Sequence, residues 1–184
     1  MKRAYYYFIA SLPVLKYDEN PPFSLEEFLR DCLRFLSKED YRLIDKLLRD
    51  EDFQNKKDKG VSQAWVEFNR DLRNEIAWYR AKRNRKDPKE FLRKERTGDS
   101  YLTEIVVQAS KAADPLAGER IFDAARWQLL DGLLTAHYFD REILFVYGLK
   151  LKILERFQKL NSPQGQAAFD EYKNIVLPEL SLVS

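Results

Sequence analysis

Apolar positions recur at steps of three and four along most of this chain, the spacing that lays one stripe along an α-helix. The longest stripe is Val61, Trp65, Phe68, Leu72, Ile76 and Tyr79, in the segment VSQAWVEFNRDLRNEIAWYRAKRNRKDPKEFLRKER at 61–96. Upstream, Ser24 and Glu27 form a capping box ahead of Leu25, Phe28, Leu29, Cys32, Leu33 and Leu36, a clean helical face. Ser37 with Asp40 marks a second start, followed by Tyr41, Ile44, Leu47 and Leu48. Downstream, Asp87-Pro88 opens a short helix with Phe91 and Leu92, and Leu102, Ile105, Val106 and Ala109 give a modest one. Asp114 as N-cap with Pro115 at the first helical position starts a longer helix. Asp140 starts another, with Ile143, Leu144, Tyr147, Leu151, Leu154 and Phe157 on one face. Ser162-Pro163 begins a last helix bearing Phe169, Tyr172, Ile175 and Val176, stopped by Pro178. The pattern predicts helices near 24–36, 38–49, 61–84, 100–113, 115–136, 140–160 and 164–176.

Between these lie a proline-stiffened connector, DENPPF at 18–23, and a polar loop, DEDFQNKKDKG at 50–60. Residues 4–12 fit either a helix or a buried strand, because Tyr5, Tyr6, Tyr7, Phe8 and Ile9 have strand-like propensity; Pro13 ends them. The expectation is an all-α, irregular multi-helix array with at most one short strand, at the N-terminus. It forms a single helical domain over 1–184, with 1–60 and 61–184 as candidate sub-units on either side of the 50–60 loop.

At 184 residues the chain is long enough to bury a real core. Its 45% hydrophobic content excludes wholesale disorder, and its 34% charged content excludes a buried membrane bundle. Six Gly and seven Pro leave few interruptions to helix. No run reaches the roughly 18 apolar residues that a membrane span needs. The opening MKRAYYYFIASLPVL mimics a signal peptide, but three adjacent tyrosines make a poor apolar region and no small-x-small cleavage site follows. The expected location is cytoplasmic, with a peripheral place at the inner face of the plasma membrane left open.

Candidate chemistry is sparse. The glycines at 60, 98, 118, 132, 148 and 165 are scattered singly, so no phosphate loop is present. One cysteine, Cys32, forbids an internal disulfide and sits among leucines as a core position. The lone His137, between two helices, reads as a cap or packing residue. Glu119 and Asp123 lie four apart, with Asp131 and Glu142 on neighbouring elements, but no Glu-x-x-His pair accompanies them. Arg120, Arg126 and Arg141 are ready salt-bridge partners. The expectation is no catalytic residue, no metal, no cofactor and no enzyme activity.

Charge changes the picture at one place. The chain carries only +2, so any basic function is local. Residues 70–96 hold Arg70, Arg73, Arg80, Lys82, Arg83, Arg85, Lys86, Lys89, Arg93, Lys94 and Arg96 against Asp71, Glu75, Asp87, Glu90 and Glu95. Arg73, Asn74 and Arg80 lie close to the apolar stripe, so at least one of them is expected partly buried and paired. Lys82, Arg85, Lys86 and Lys89 extend past the stripe and are expected exposed, as a docking surface for an acidic partner. Trp78 falls off the stripe and is expected exposed with them. The alternative is a small helical nucleic-acid-binding protein that uses 70–96, with cations on phosphates and Trp65, Trp78 or Tyr79 stacking on bases.

Asn74, five residues, then Arg80-Ala81-Lys82 resembles the Asn-x5-Arg-Ala-Lys pattern in the helical repeats of the V-type ATPase C/d subunit family. The opening YYYFIASLPVL and the segment SLEEFLRDCLRFLSKEDYRLIDKLL resemble that family's first helices. The whole chain is similar, more closely, to a family of short uncharacterised proteins encoded in bacterial V-type ATPase operons. Tyr5 to Pro13 match its Tyr-Tyr-Tyr-aliphatic-x-Ala-Ser-Leu-Pro opening. Tyr147, Leu149, Lys150, Leu151, Glu155 and Arg156 match its late Tyr-x-Leu-Lys-Leu-x-x-x-Glu-Arg stretch. The resemblance implies an all-helical, non-catalytic adaptor between central stalk and membrane ring, with Asn74, Arg80, Tyr147 and Glu155 as structural motif residues and no nucleic-acid partner.

Overall fold

The structure, a computed structural model, describes residues 2–49, 60–93, 95–165 and 167. Among these it is all-α, with seven α-helices, two 3₁₀ turns and no strand. The helices are α1 (Lys2–Ser11), α2 (Leu25–Phe35), α3 (Lys38–Arg49), α4 (Val61–Arg83), α5 (Ser100–Ser110), α6 (Pro115–Leu133) and α7 (Arg141–Asn161). The expected polar loop lies outside the described residues except for Gly60, as does the expected helix at 164–176 apart from residues 164, 165 and 167.

The tyrosine-rich opening is a helix. Its strand propensity loses because no described strand is available to pair with it, whereas a helix buries Phe8 while Tyr6 and Tyr7 stay exposed. Phe8 stacks on Phe28 and Phe35, with ring centroids 6.0 and 5.0 Å away. The Tyr5 hydroxyl donates to Asp40 Oδ2 at 2.5 Å and accepts the Ser37 N–H at 3.1 Å, which pins α1 to the start of α3. Arg141 of α7 reaches the other oxygen of Asp40 at 3.1 Å.

Local capping fixes most helix starts where the sequence places them. Ser24 Oγ accepts the Glu27 N–H at 3.2 Å, and a Glu27 carboxylate oxygen accepts the Ser24 N–H at 2.8 Å. Asp99, Asp114 and Asp140 cap α5, α6 and α7. The predicted 115–136 helix ends as a 3₁₀ turn, Leu134–Ala136.

Helix α7 is the spine. Leu144, Phe145, Val146, Leu149, Leu151, Ile153 and Leu154 are all buried, far more than one helical face. They join Phe28, Leu29, Cys32, Ile44, Leu47, Leu48, Val61, Trp127 and Leu130 in the main hydrophobic cluster. Gly148 permits a close approach to α2 and α3, since a Cβ there would lie 2.8 Å from Leu48 Cδ1 and 2.9 Å from Phe28 Cε1. A smaller cluster joins Leu72 of α4, Leu102 and Val106 of α5 and Phe122 of α6. The stripe of α4 therefore serves both clusters. Val61 and Trp65 face the larger one, and Phe68, Leu72, Ile76 and Tyr79 the smaller.

Two glutamates of α7 cap other helices. Glu142 Oε2 accepts the Val61 N–H, the first of α4, at 2.8 Å. Glu155 Oε1 accepts the Leu25 N–H, the first of α2, at 2.6 Å. Each supplies a negative charge to the positive end of a helix dipole. Tyr147, between them in sequence, donates to the Pro13 carbonyl at 3.1 Å, and burial pushes its hydroxyl up to about 12.

Candidate functional site

The basic end of α4 is built from the backbone outward. Arg85 has φ +55°. Its N–H bonds the Lys82 carbonyl at 3.2 Å, and the Lys86 N–H bonds the Ala81 carbonyl at 2.9 Å. That pair of bonds is a Schellman ending, which satisfies orphan carbonyls but asks for a left-handed residue where glycine is usual. The chain then turns through Pro88–Phe91, a 3₁₀ turn whose start is capped by Asp87 accepting the Lys89 N–H at 3.0 Å.

Two anchors bring the chain back along α4. Asn74 is buried, and its Oδ1 accepts the Arg93 N–H at 3.0 Å. Glu75 is 3% exposed and takes a two-pronged bond from Arg96, with Nε–Oε2 at 2.6 Å and Nη2–Oε1 at 2.7 Å. The Thr103 hydroxyl donates to the same carboxylate at 2.8 Å. Burial alone would push the Glu75 carboxyl up. The Arg96 and Thr103 bonds and the Arg96 charge outweigh it and hold the group below its ordinary value.

Lys82, Arg85, Lys86 and Lys89 are exposed, together with Arg80, Arg83 and Arg93. Three expectations are corrected or sharpened. Trp78 is half-buried rather than exposed, because the Arg96 guanidinium lies 4.1 Å from its ring centroid and the Lys82 ammonium 5.3 Å. Arg96, counted with the basic face in sequence, is an internal partner. Of Arg73, Asn74 and Arg80, Asn74 is buried and paired, Arg73 is partly buried, and Arg80 is exposed.

Several other ionic groups are internally committed. Asp123 is 1% exposed and bonds Arg126 and Arg156 at 2.7 Å each, and Arg156 also bonds Glu119. Burial lifts the Asp123 carboxyl above its ordinary range although both arginines pull it down. Arg126 reaches on to Asn69 at 2.9 Å, so the network ties α4, α6 and α7 together. Lys150 pairs with Asp131 and lies 4.7 Å from the Trp127 ring centroid. Arg120 makes its contact with the Phe157 ring instead, at 4.6 Å. His137 Nδ1 is 2.7 Å from Asp140 Oδ2, beside the α7 cap. Cys32 is buried and its thiol is pushed up by desolvation. Among the described residues, no group of three or more His, Cys, Asp and Glu side chains could hold a metal ion, and no helix is long and apolar enough to cross a membrane.

The short helix expected after Asp87-Pro88 is present as the 3₁₀ turn Pro88–Phe91, but sequence reasoning missed two exposed features. Phe91 stands 47% exposed on that turn. The signal was present, because Phe91 and Leu92 have no apolar partner three or four residues upstream. Tyr6 and Phe139 form an exposed aromatic pair, ring centroids 4.5 Å apart, with Phe139 at φ +52°.

A family model described as a protein of unknown function (DUF2764) matches residues 51–177, more than half of the chain, and the chain belongs to that family. No curated protein and no solved structure matches it.

Proposed function

We propose that this DUF2764 protein is a non-catalytic protein–protein adaptor of a bacterial V-type ATPase, either a rotor component like the C/d subunit family or an accessory factor. The observation that supports the reading is the basic end of α4, where Lys82, Arg85, Lys86 and Lys89 stand exposed on a turn anchored at Asn74 and Glu75. A surface held in place by internal bonds loses little freedom on docking, which favours specific association over loose electrostatic contact. The partners are acidic surfaces of the central stalk and membrane ring, reached from the cytoplasm. The resemblance of Tyr5–Pro13 and of the Tyr147–Arg156 stretch to proteins from V-type ATPase operons supplies the identity of the assembly. The nucleic-acid reading loses force here, because the Arg96 guanidinium already lies over the Trp78 ring.

The test is copurification from the native organism with wild-type protein and with a variant carrying Lys82→Glu, Arg85→Glu, Lys86→Glu and Lys89→Glu. Exposed charges contribute only about 0–1 kcal/mol each, so the variant should fold. ATPase subunits should accompany the wild type and be absent from the variant. A folded variant that retains those subunits would assign docking to another surface. Retention on heparin with a steep salt slope, and no ATPase subunits bound, would favour nucleic acid.

A further inference from the structure

We infer that the basic end of α4 receives an acidic protein segment that also carries an apolar side chain, and that Phe91 is the anchor for that side chain. The inference deepens the adaptor reading and rests on it. Phe91 is 47% exposed and belongs to neither hydrophobic cluster. Its backbone is nonetheless held on both sides. Asp87 caps the turn, Pro88 opens it, and two residues beyond Phe91 the Arg93 N–H is held by buried Asn74. A large aromatic side chain on a backbone secured at both sides has little ordering left to lose, the situation of interface anchors.

The charges around Phe91 define what can cover it. Residues 80–93 carry seven cations, Arg80, Lys82, Arg83, Arg85, Lys86, Lys89 and Arg93, against Asp87 and Glu90, while the whole chain carries only +2. A wholly apolar partner would strip water from those cations and return no counter-charge. A wholly acidic one would leave Phe91 against carboxylates or water. An acidic segment with an apolar residue between its carboxylates satisfies both demands. Asp87 and Glu90 are exposed and flank the turn, so they repel a carboxylate set over them and select one register. The same two carboxylates argue against a bilayer as occupant, since inserting Phe91 would press Glu90 into anionic headgroups.

The experiment uses the full chain and two fluorescein-labelled helical peptides with equal numbers of Glu. One has Leu between the Glu residues on the same face, and the other has Gln at those positions. Anisotropy titration at physiological salt should give the Leu peptide about tenfold tighter binding, the scale of burying part of one aromatic side chain. Phe91→Ala should erase that preference and leave the Gln peptide unchanged. Lys82→Glu, Lys86→Glu and Lys89→Glu together should remove both peptides, and circular dichroism should show each variant still helical. Equal binding of the two peptides, or a preference that survives Phe91→Ala, would refute the anchor while leaving the docking surface standing. Binding that survives the charge reversal, or no binding of either peptide to wild type, would refute both. Phe91-dependent binding to phosphatidylglycerol vesicles with no peptide preference would make the occupant a membrane and overturn the inference.

Discussion

Glu142 caps a helix to which it does not belong: its Oε2 lies 2.8 Å from the Val61 nitrogen, across 81 residues of sequence. Gly60 precedes Val61, and a Cβ there would sit 2.6 Å from that same carboxylate oxygen. The helix start therefore has no side-chain cap of its own and no room for one. Glu142→Ala should cost about 1–3 kcal/mol, the range for a buried donor left without its acceptor. Glu142→Gln, which keeps an oxygen acceptor, should cost less. Urea denaturation would measure both, and an alanine variant as stable as wild type would show that the bond is dispensable.

The Glu75–Arg96 pair should behave as a structural clamp. Arg96→Met leaves a buried carboxylate with Thr103 alone, and a loss of about 2–4 kcal/mol is expected, somewhat below a fully buried pair because Arg96 is partly solvated. The pH dependence has a defined sign. Glu75 is depressed in the folded state, so its contribution is present above the unfolded carboxylate value of about 4.3 and fades as pH falls through the lower folded value. Thermal melts of Glu75→Gln at neutral and acid pH should show less acid sensitivity than wild type. An unchanged acid limb would mean that other carboxylates govern it.

Arg85 occupies a backbone conformation suited to glycine. Arg85→Gly should stabilise the protein by about 0.5–1 kcal/mol, and Arg85→Val should destabilise it by at least as much. A melting temperature that falls on the glycine substitution would indicate that the arginine side chain contributes more than its backbone costs.

Gly148→Ala sets two effects against each other. Helix propensity favours alanine by about 1 kcal/mol. Against it, the added Cβ would meet Leu48 and Phe28 below 3.0 Å, and both side chains are almost wholly buried. Overpacking of this kind costs about 1–3 kcal/mol, so a net loss is expected in chemical denaturation. A net gain would show that Leu48 and Phe28 can shift.

What could be read from sequence was whatever is local. The caps at Ser24, Asp114 and Asp140 and the three-and-four spacing of Leu72, Leu102 or Leu144 are decided by neighbours within a turn or two. The exposure of Lys82, Arg85, Lys86 and Lys89 followed because they lie beyond the last stripe residue. Trp78 and Arg96 were misplaced because their contact forms only when the chain doubles back after Pro88. The caps by Glu142 and Glu155 had no signature at all, since a carboxylate in one helix says nothing about a nitrogen 81 or 130 residues earlier. The helix at Lys2–Ser11 was undecided because its aromatics suit both structures until a packing partner chooses.

The position of α7 has a consequence for synthesis. Its residues complete the main cluster and cap both α2 and α4, yet they leave a ribosome after every other described helix. Until Glu142 through Glu155 emerge, Phe8, Phe28, Ile44 and Leu48 lack the surface that buries them, and two helix starts lack their acceptors. The nascent chain carries that apolar surface unprotected while α1 to α6 are out and α7 is not, the condition under which chaperones engage and aggregation competes. Ribosome-bound chains ending before residue 140 should be digested rapidly by protease, and resistance should appear abruptly once α7 clears the exit tunnel.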